Sequence, residues 1–199
     1  MKQILFLLLV FTSFIGFSQT KDDVIDFKNL NTELLNKLIF EECNKVRVEN
    51  NVNPLVLDKI CGYSSKYQSE YMSNFNILTH INTNVFQSHL FERSGDRFEF
   101  FYKKYNEKRF YVVSEEVCTE YKKISTTNYT GITTKTYQNY SQNIVNGFMG
   151  SRLHRLVILD GDDEHTVYGS FKVCYNPKTD NLYVAGVINP CLIIKKVGK

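Results

Sequence analysis

The hydrophobic period changes near the middle of the chain. Apolar residues recur at helical spacing over 34–46 and again from Asp58, whereas from Phe110 the period becomes two. Two further strand-like segments, 167–175 and 182–188, are joined by the turn-forming run NPKTDN. Helices before and between strands, with an antiparallel hairpin at the end, predict an α+β fold whose helices cover the sheet.

Local signals mark the helix ends. Asn31 and Thr32 form a cap before the first helix, which stops at the breaker run NNVNP. After residues 94–96 an aromatic stripe, FEFFYKKY, predicts a third helix whose aromatic residues belong to the core. Another helix ends near Gly150, so the sequence places His154 just after a helix end.

The N-terminus predicts export. Lys2 precedes the apolar run ILFLLLVF, and Gly16 and Ser18 supply the small residues that a signal peptidase reads, so we expect cleavage after Ser18. Nothing later in the sequence approaches the roughly 20 apolar residues of a membrane-spanning helix. We therefore predict a signal peptide over 1–18, an N-terminal segment over 19–30 and a single domain over 31–199, secreted or periplasmic.

Charge and motif content narrow the function classes. The 24 Lys and Arg residues against 21 Asp and Glu give a net charge of +3, and the two signs are interleaved along the chain. No concentrated basic face is therefore offered to a phosphate backbone, and we expect no nucleic-acid partner. No GxSxG, HExxH, P-loop or GxGxxG string occurs. We expect a monomer without a membrane span.

The cysteines predict disulfide bridges. An exported chain meets an oxidising compartment, where pairing is the default fate of a thiol. None of the spacings is CxxC, so a structural bridge is favoured over a metal site, and an odd number allows two bridges at most. The sequence does not assign the pairs among its five cysteines, which are Cys43, Cys61, Cys118, Cys174 and Cys191.

One carboxylate shares a face with apolar residues. In the strand that follows Phe110, Glu115 alternates in phase with Val113 and Val117, whereas Cys118 and Glu120 lie on the opposite face. A carboxylate on an inward face needs a partner. Glu115 is therefore a candidate site residue, and Glu120 is a weaker one.

Five segments in order resemble the CAP superfamily, which comprises the cysteine-rich secretory, antigen 5 and pathogenesis-related proteins with an SCP-like domain. The segments are LLNKLIFEECNKVRVENNVNPLVLDKICGYSSKYQSEYM, LTH, SEEV, NGFMGSRLHR and VYGSFKV. They resemble the divergent bacterial branch and cover roughly residues 31–190. Departures are Ser114 and Glu116 where the family has Gly and Asn around its acid, and Phe148 where it has Trp.

This resemblance implies an α-β-α sandwich in which a small antiparallel sheet is flanked by helices. It also implies a cleft where two histidines and acidic residues converge and, in some members, hold a divalent cation such as zinc. Carried over by motif, the histidines are His80 and His154 and the acid is Glu115. His89 and His165 match no motif, and we expect both to face solvent.

Three function classes stay open. The favoured one is an exported binding module whose cleft takes a small molecule, a lipid or an extracellular protein, with a cation at His80 and His154. The second is a metal-assisted hydrolase in which zinc on these histidines activates water and Glu115 is the general base. The third is a buried hydrogen-bond network of the same residues, with function on loops such as 125–138.

Overall fold

The computed structural model describes residues 19–82, 109–111, 115–122, 136–161 and 166–193. The elements, in chain order, are α1 (Thr32–Glu49), β1 (Val56–Leu57), α2 (Lys59–Phe75), β2 (Arg109–Tyr111), β3 (Glu115–Lys122), α3 (Tyr137–Gly150), α4 (Arg152–Ile158), β4 (Val167–Asn176) and β5 (Asn181–Ile193). These elements confirm the predicted α+β class. The third predicted helix, after residues 94–96, lies outside the described residues, as do His89 and His165.

The sheet is built around the β4–β5 hairpin. These strands pair antiparallel from Asn176 opposite Asn181 up to Val167 opposite Pro190. Along the other edge of β5 run β3 and then β2, both antiparallel. The two-residue strand β1 joins β4 in parallel at the opposite edge. The small antiparallel sheet is thus confirmed, with one short parallel strand added.

Helices cover both faces of this sheet. Successive residues of β5 point to opposite faces, so Val184 packs in the core beneath α1 and α3, whereas Tyr183 and Ala185 pack against α2. In β3, Val117 likewise joins the first core and Cys118 the second. The result is a three-layer α-β-α arrangement. Both faces of β3 therefore pack against helices at Val117 and Cys118, whereas the alternation in the sequence predicts only one apolar face.

The predicted helix starts are confirmed by their caps. The Asn31 side-chain oxygen accepts a hydrogen bond from the Leu34 amide at 3.0 Å. At α2, one Asp58 carboxylate oxygen accepts from the amides of Ile60 and Cys61 at 2.8 and 3.1 Å. These bonds satisfy amides that the first turn of a helix leaves without backbone partners.

The N-terminal segment packs on the domain. The amides of Tyr137 and Gln138, at the start of α3, donate to the carbonyls of Asp23 and Lys21 at 3.2 and 2.9 Å. The Phe27 ring lies 5.7 Å from that of Tyr140, centroid to centroid, in an edge-on arrangement. In the described ranges, no helix combines the length and apolarity that crossing a membrane requires.

The predicted disulfides are wrong for four of the five cysteines. None of Cys43, Cys61, Cys118 and Cys174 forms a disulfide bridge. The first three are buried in separate apolar clusters, one under α1 and two under α2, where they pack as small hydrophobic residues. Burial raises the pKa of the Cys43 thiol. The side chain of Cys191 lies outside the described part of the structure.

Candidate functional site

The two predicted histidines lie side by side. The ring centroids of His80 and His154 are 6.3 Å apart, with their planes inclined at 56°. His80 lies in the segment that follows α2, and His154 is the third residue of α4. The sequence predicts that His154 follows the end of a helix, and α3 ends at Gly150. A second short helix, α4, begins directly after it: the Arg155 amide donates a hydrogen bond to the Ser151 carbonyl at 2.9 Å.

A buried glutamine fixes the backbone beside His80. Gln68 is fully buried on α2, and its side-chain amide donates a hydrogen bond to the carbonyl of Thr79. The Thr79 hydroxyl accepts from the Ile81 amide at 3.0 Å. Thr79, which precedes His80, is therefore tied to α2, and Ile81, which follows it, is tied to Thr79. Sequence reasoning missed Gln68, since a polar residue in a helix gives no local sign of facing inward.

A buried arginine fixes the helix that carries His154. Arg47 of α1 is fully buried. One of its terminal nitrogens, Nη1, donates to the carbonyls of Ile158 and Asp160 at 2.6 and 2.8 Å, where α4 ends, and its Nε donates to the Asn53 carbonyl at 2.8 Å. Burial lowers the pKa of the guanidinium. Arg47 thus ties the end of α4 to α1. The one sequence signal for this role is its position four residues after Cys43, on the buried stripe of α1.

Aromatic packing orients His154. The Phe148 ring, fully buried near the end of α3, meets the imidazole edge-on, with centroids 5.4 Å apart and planes inclined at 88°. Phe148 stands where the family resemblance expects Trp, and it still supplies an aromatic wall. Burial lowers the pKa of His154, and electrostatic repulsion from His80 lowers it further. The lowered pKa favours the neutral form of this imidazole, which has a lone pair to offer.

The two acidic candidates lie on β3. The described part of Glu115 is its backbone, which pairs with Ile188. Val117, two residues later, packs in the core, and α4 contacts this strand. Glu120 lies on the other face, where its carboxylate accepts a hydrogen bond from the Tyr183 hydroxyl at 3.3 Å. The sheet thus separates Glu120 from the face that α4 covers.

The donors that the histidine pair offers to a cation are two imidazoles. Neutral imidazole is a common metal ligand, and the two ring centroids are 6.3 Å apart. Among the described side chains, no group of three or more His, Cys, Asp or Glu is gathered as a metal site. Two imidazoles are fewer than the three protein ligands usual for catalytic zinc.

A separate cavity lies at the free edge of β4. It measures about 520 Å³ and is bounded by the start of α1, by α2 and by residues 172–175. Neither histidine lines it. Polar side chains close this edge: the Asn36 oxygen accepts from the Val173 amide at 2.9 Å, and Lys172 pairs with Glu33 at 3.2 Å. This covering protects an edge strand from pairing with another chain.

Comparison with known proteins identifies the fold. No protein-family model matches the sequence, and no curated protein does either. A solved structure of an outer surface protein from Borrelia burgdorferi is 16% identical, with a TM-score of 0.52, and the match covers 85% of this chain and 98% of that one.

An extracellular protein containing an SCP domain, from Bacillus anthracis, is 15% identical with a TM-score of 0.49. That match covers 79% of this chain and 42% of the other, so this chain spans less than half of it. This chain shares the fold of the Borrelia outer surface protein.

Proposed function

We propose that this protein is an exported CAP-like binding module that holds a divalent cation between His80 and His154. The observation that carries the proposal is the meeting of these two rings at 6.3 Å. Export is supported by the N-terminal sequence and by the description of the Borrelia protein of similar fold as an outer surface protein.

The surroundings of the pair suit a binding role. Gln68 and Arg47 are buried side chains that anchor the two histidine-bearing segments, so little ordering remains to be done when a cation binds. The lowered pKa of His154 keeps one ligand free of its proton at neutral pH. With two protein ligands, positions on the ion stay open to water or to an oxygen of a bound partner.

The hydrolase alternative needs a general base at the ion. Glu115 is its candidate, and the backbone of this residue pairs with Ile188 at the start of β3. No described side chain stands in that role, and the assignment stays a prediction. The binding role needs only the two histidines, which is why we favour it.

The test is zinc binding by the purified protein. Metal content is measured by elemental analysis and affinity by titration calorimetry, for wild type and for His80→Ala/His154→Ala. The control is His89→Ala/His165→Ala, which removes the same number of imidazoles. We expect one zinc per chain in wild type and control, and none in the first variant.

Two results would contradict the proposal. If neither wild type nor control binds zinc, cobalt or another divalent cation at micromolar concentration, the pair is not a cation site. If His80→Ala/His154→Ala binds as wild type does and loses only stability, measured by urea unfolding, the histidines belong to a structural hydrogen-bond network.

A further inference from the structure

Exposed apolar side chains gather around the histidine pair. Of the eleven large hydrophobic residues exposed among the described residues, six lie in two short segments, 75–81 and α4. The segments meet where His80 faces His154. The six residues, which together with Arg152 and Arg155 form what we name the histidine-flanking surface, are Phe75, Ile77, Leu78, Ile81, Leu153 and Leu156. Such a concentration marks an interaction site, whereas single exposed apolar residues do not.

The outer face of α4 is both apolar and cationic. Four exposed residues form a continuous arc around the helix axis when they are placed at helical spacing. In their order around the axis they are Arg155, Arg152, Leu156 and Leu153. Leu153 and Leu156 are 73% and 61% exposed. The inward side of the same helix carries His154 and the buried Ile158.

Among the described residues, no carboxylate forms an ion pair with this arc. Residues 75–82 and 151–158 contain no Asp or Glu, and within the described part of the chain neither Arg152 nor Arg155 forms an ion pair. The net charge of the whole chain is only +3, so the attraction for an anion is local to this surface. A partner complementary to this surface has apolar groups that contact the leucines and anionic groups that pair with the arginines.

We propose that the histidine-flanking surface docks onto the anionic surface of a lipid bilayer. Amphipathic helices with basic residues beside Leu bind in this way: the apolar side chains enter the boundary of the acyl chains, while guanidinium groups pair with phosphates. Seven residues of helix α4 cannot cross the bilayer, so the protein lies on it. The inference rests on the proposed binding function, because it names the partner of that module.

The experiment is co-sedimentation with vesicles at low and high salt. Vesicles of phosphatidylcholine alone are compared with vesicles of equal parts phosphatidylcholine and phosphatidylglycerol. We expect wild type to bind the anionic vesicles and to leave them at high salt, because screening weakens the contribution of the guanidinium groups. Binding to phosphatidylcholine alone is expected to be weaker by about 30-fold, since each basic side chain contributes about fivefold.

One pair of double variants isolates the contribution of charge. Arg152→Gln/Arg155→Gln removes two cations from the surface, and Lys59→Gln/Lys178→Gln removes two exposed cations from elsewhere, so both lower the net charge equally. We expect the arginine variant to lose about 30-fold in partitioning to anionic vesicles. The lysine variant is expected to bind as wild type. Equal losses in the two variants would show attraction to the protein as a whole and would overturn the proposed surface.

A second pair isolates the apolar contribution. Leu153→Ser/Leu156→Ser is compared with Val48→Ser/Leu57→Ser, which changes two exposed apolar side chains elsewhere. We expect a loss of about tenfold or more only in the first, from apolar area that the bilayer would otherwise bury. Since all four side chains are exposed, urea midpoints should stay near that of wild type, and these midpoints check that the variants fold.

Other occupants give distinct results. In one such result, wild type does not bind vesicles and is a dimer by light scattering, while Leu153→Ser/Leu156→Ser is a monomer. A second copy of the chain then covers the surface, and the bilayer proposal is overturned. Failure on vesicles with intact zinc binding would overturn this inference alone. Conversely, if the protein binds vesicles but not zinc, the proposed cation site is contradicted and the proposed docking surface is retained.

Discussion

Replacing Arg47 with methionine tests whether the end of α4 is held by a buried guanidinium. The substitution keeps an unbranched side chain of similar length but removes every donor. Three carbonyls then lose hydrogen bonds of 2.6 to 2.8 Å, those of Asn53, Ile158 and Asp160. An unsatisfied buried acceptor costs about 1–3 kcal/mol. Ile158 is buried, whereas Asn53 and Asp160 are exposed residues whose carbonyls can turn to water.

The magnitude follows from these unequal costs. We take about 2 kcal/mol for the Ile158 carbonyl and about 1 kcal/mol for each of the others, which gives about 4 kcal/mol. The Nη2 nitrogen is buried without a hydrogen-bond partner among the described residues. Removing this unsatisfied donor is favourable and offsets part of the lost stability. The expected decrease in the free energy of unfolding is therefore about 3 kcal/mol.

Urea unfolding followed by circular dichroism measures this decrease. The matched control is Arg155→Met, which changes an exposed arginine on α4 and is expected to shift stability by less than about 0.5 kcal/mol. Zinc affinity should also fall in Arg47→Met, since the helix that carries His154 loses its attachment to α1. A loss of less than about 1 kcal/mol in Arg47→Met, with zinc affinity unchanged, would refute the reasoning.

Two further predictions concern the core and the pH dependence of stability. In Gly186→Ala the new Cβ would lie 2.3 Å from two carbons of the Phe171 ring. We expect the free energy of unfolding, measured with urea, to fall by about 3 kcal/mol. The control is Gly150→Ala, where nothing lies within 4 Å of the new Cβ and no loss of stability is expected. For metal-free protein, the lowered pKa of His154 means that the unfolded state binds more protons, so stability falls as pH drops below the ordinary histidine value. Urea midpoints measured at a series of pH values around the ordinary histidine pKa should fall with pH in wild type but not in His154→Gln. The same pH dependence in both proteins would contradict the lowered pKa of His154.

The elements of this fold were predictable where short-range chemistry decides them. Asn31 and Asp58 are good caps because their side-chain oxygens reach amides two or three residues ahead, and both act in this way. The alternation in β3 was readable for the same reason, as side chains on a strand change face at every residue. Its assignment to one buried face failed, because α2 covers the second face and no local pattern reveals that.

Other features depend on contacts between distant segments. Arg47 lies in a charged stretch, and its role as an anchor of α4 requires two carbonyls more than a hundred residues away. The disulfide prediction failed for a similar reason. It used the number of cysteines and the compartment, whereas the fold places Cys43 under α1 and Cys61 and Cys118 under α2, on opposite sides of the sheet.

The histidine pair joins the two helical layers of the protein. His80 follows α2, which covers one face of the sheet, whereas His154 belongs to α4, whose Ile158 packs in the core of the other face. A ligand bound by both rings therefore bridges the layers at a point where no strand pairing among the described residues connects them. Because a ligand that binds only the folded state stabilises it, a cation here would strengthen the contact between the layers. The exposed leucines and arginines of α4 lie on the same short helix as His154, so one segment contributes to both the proposed cation site and the proposed docking surface.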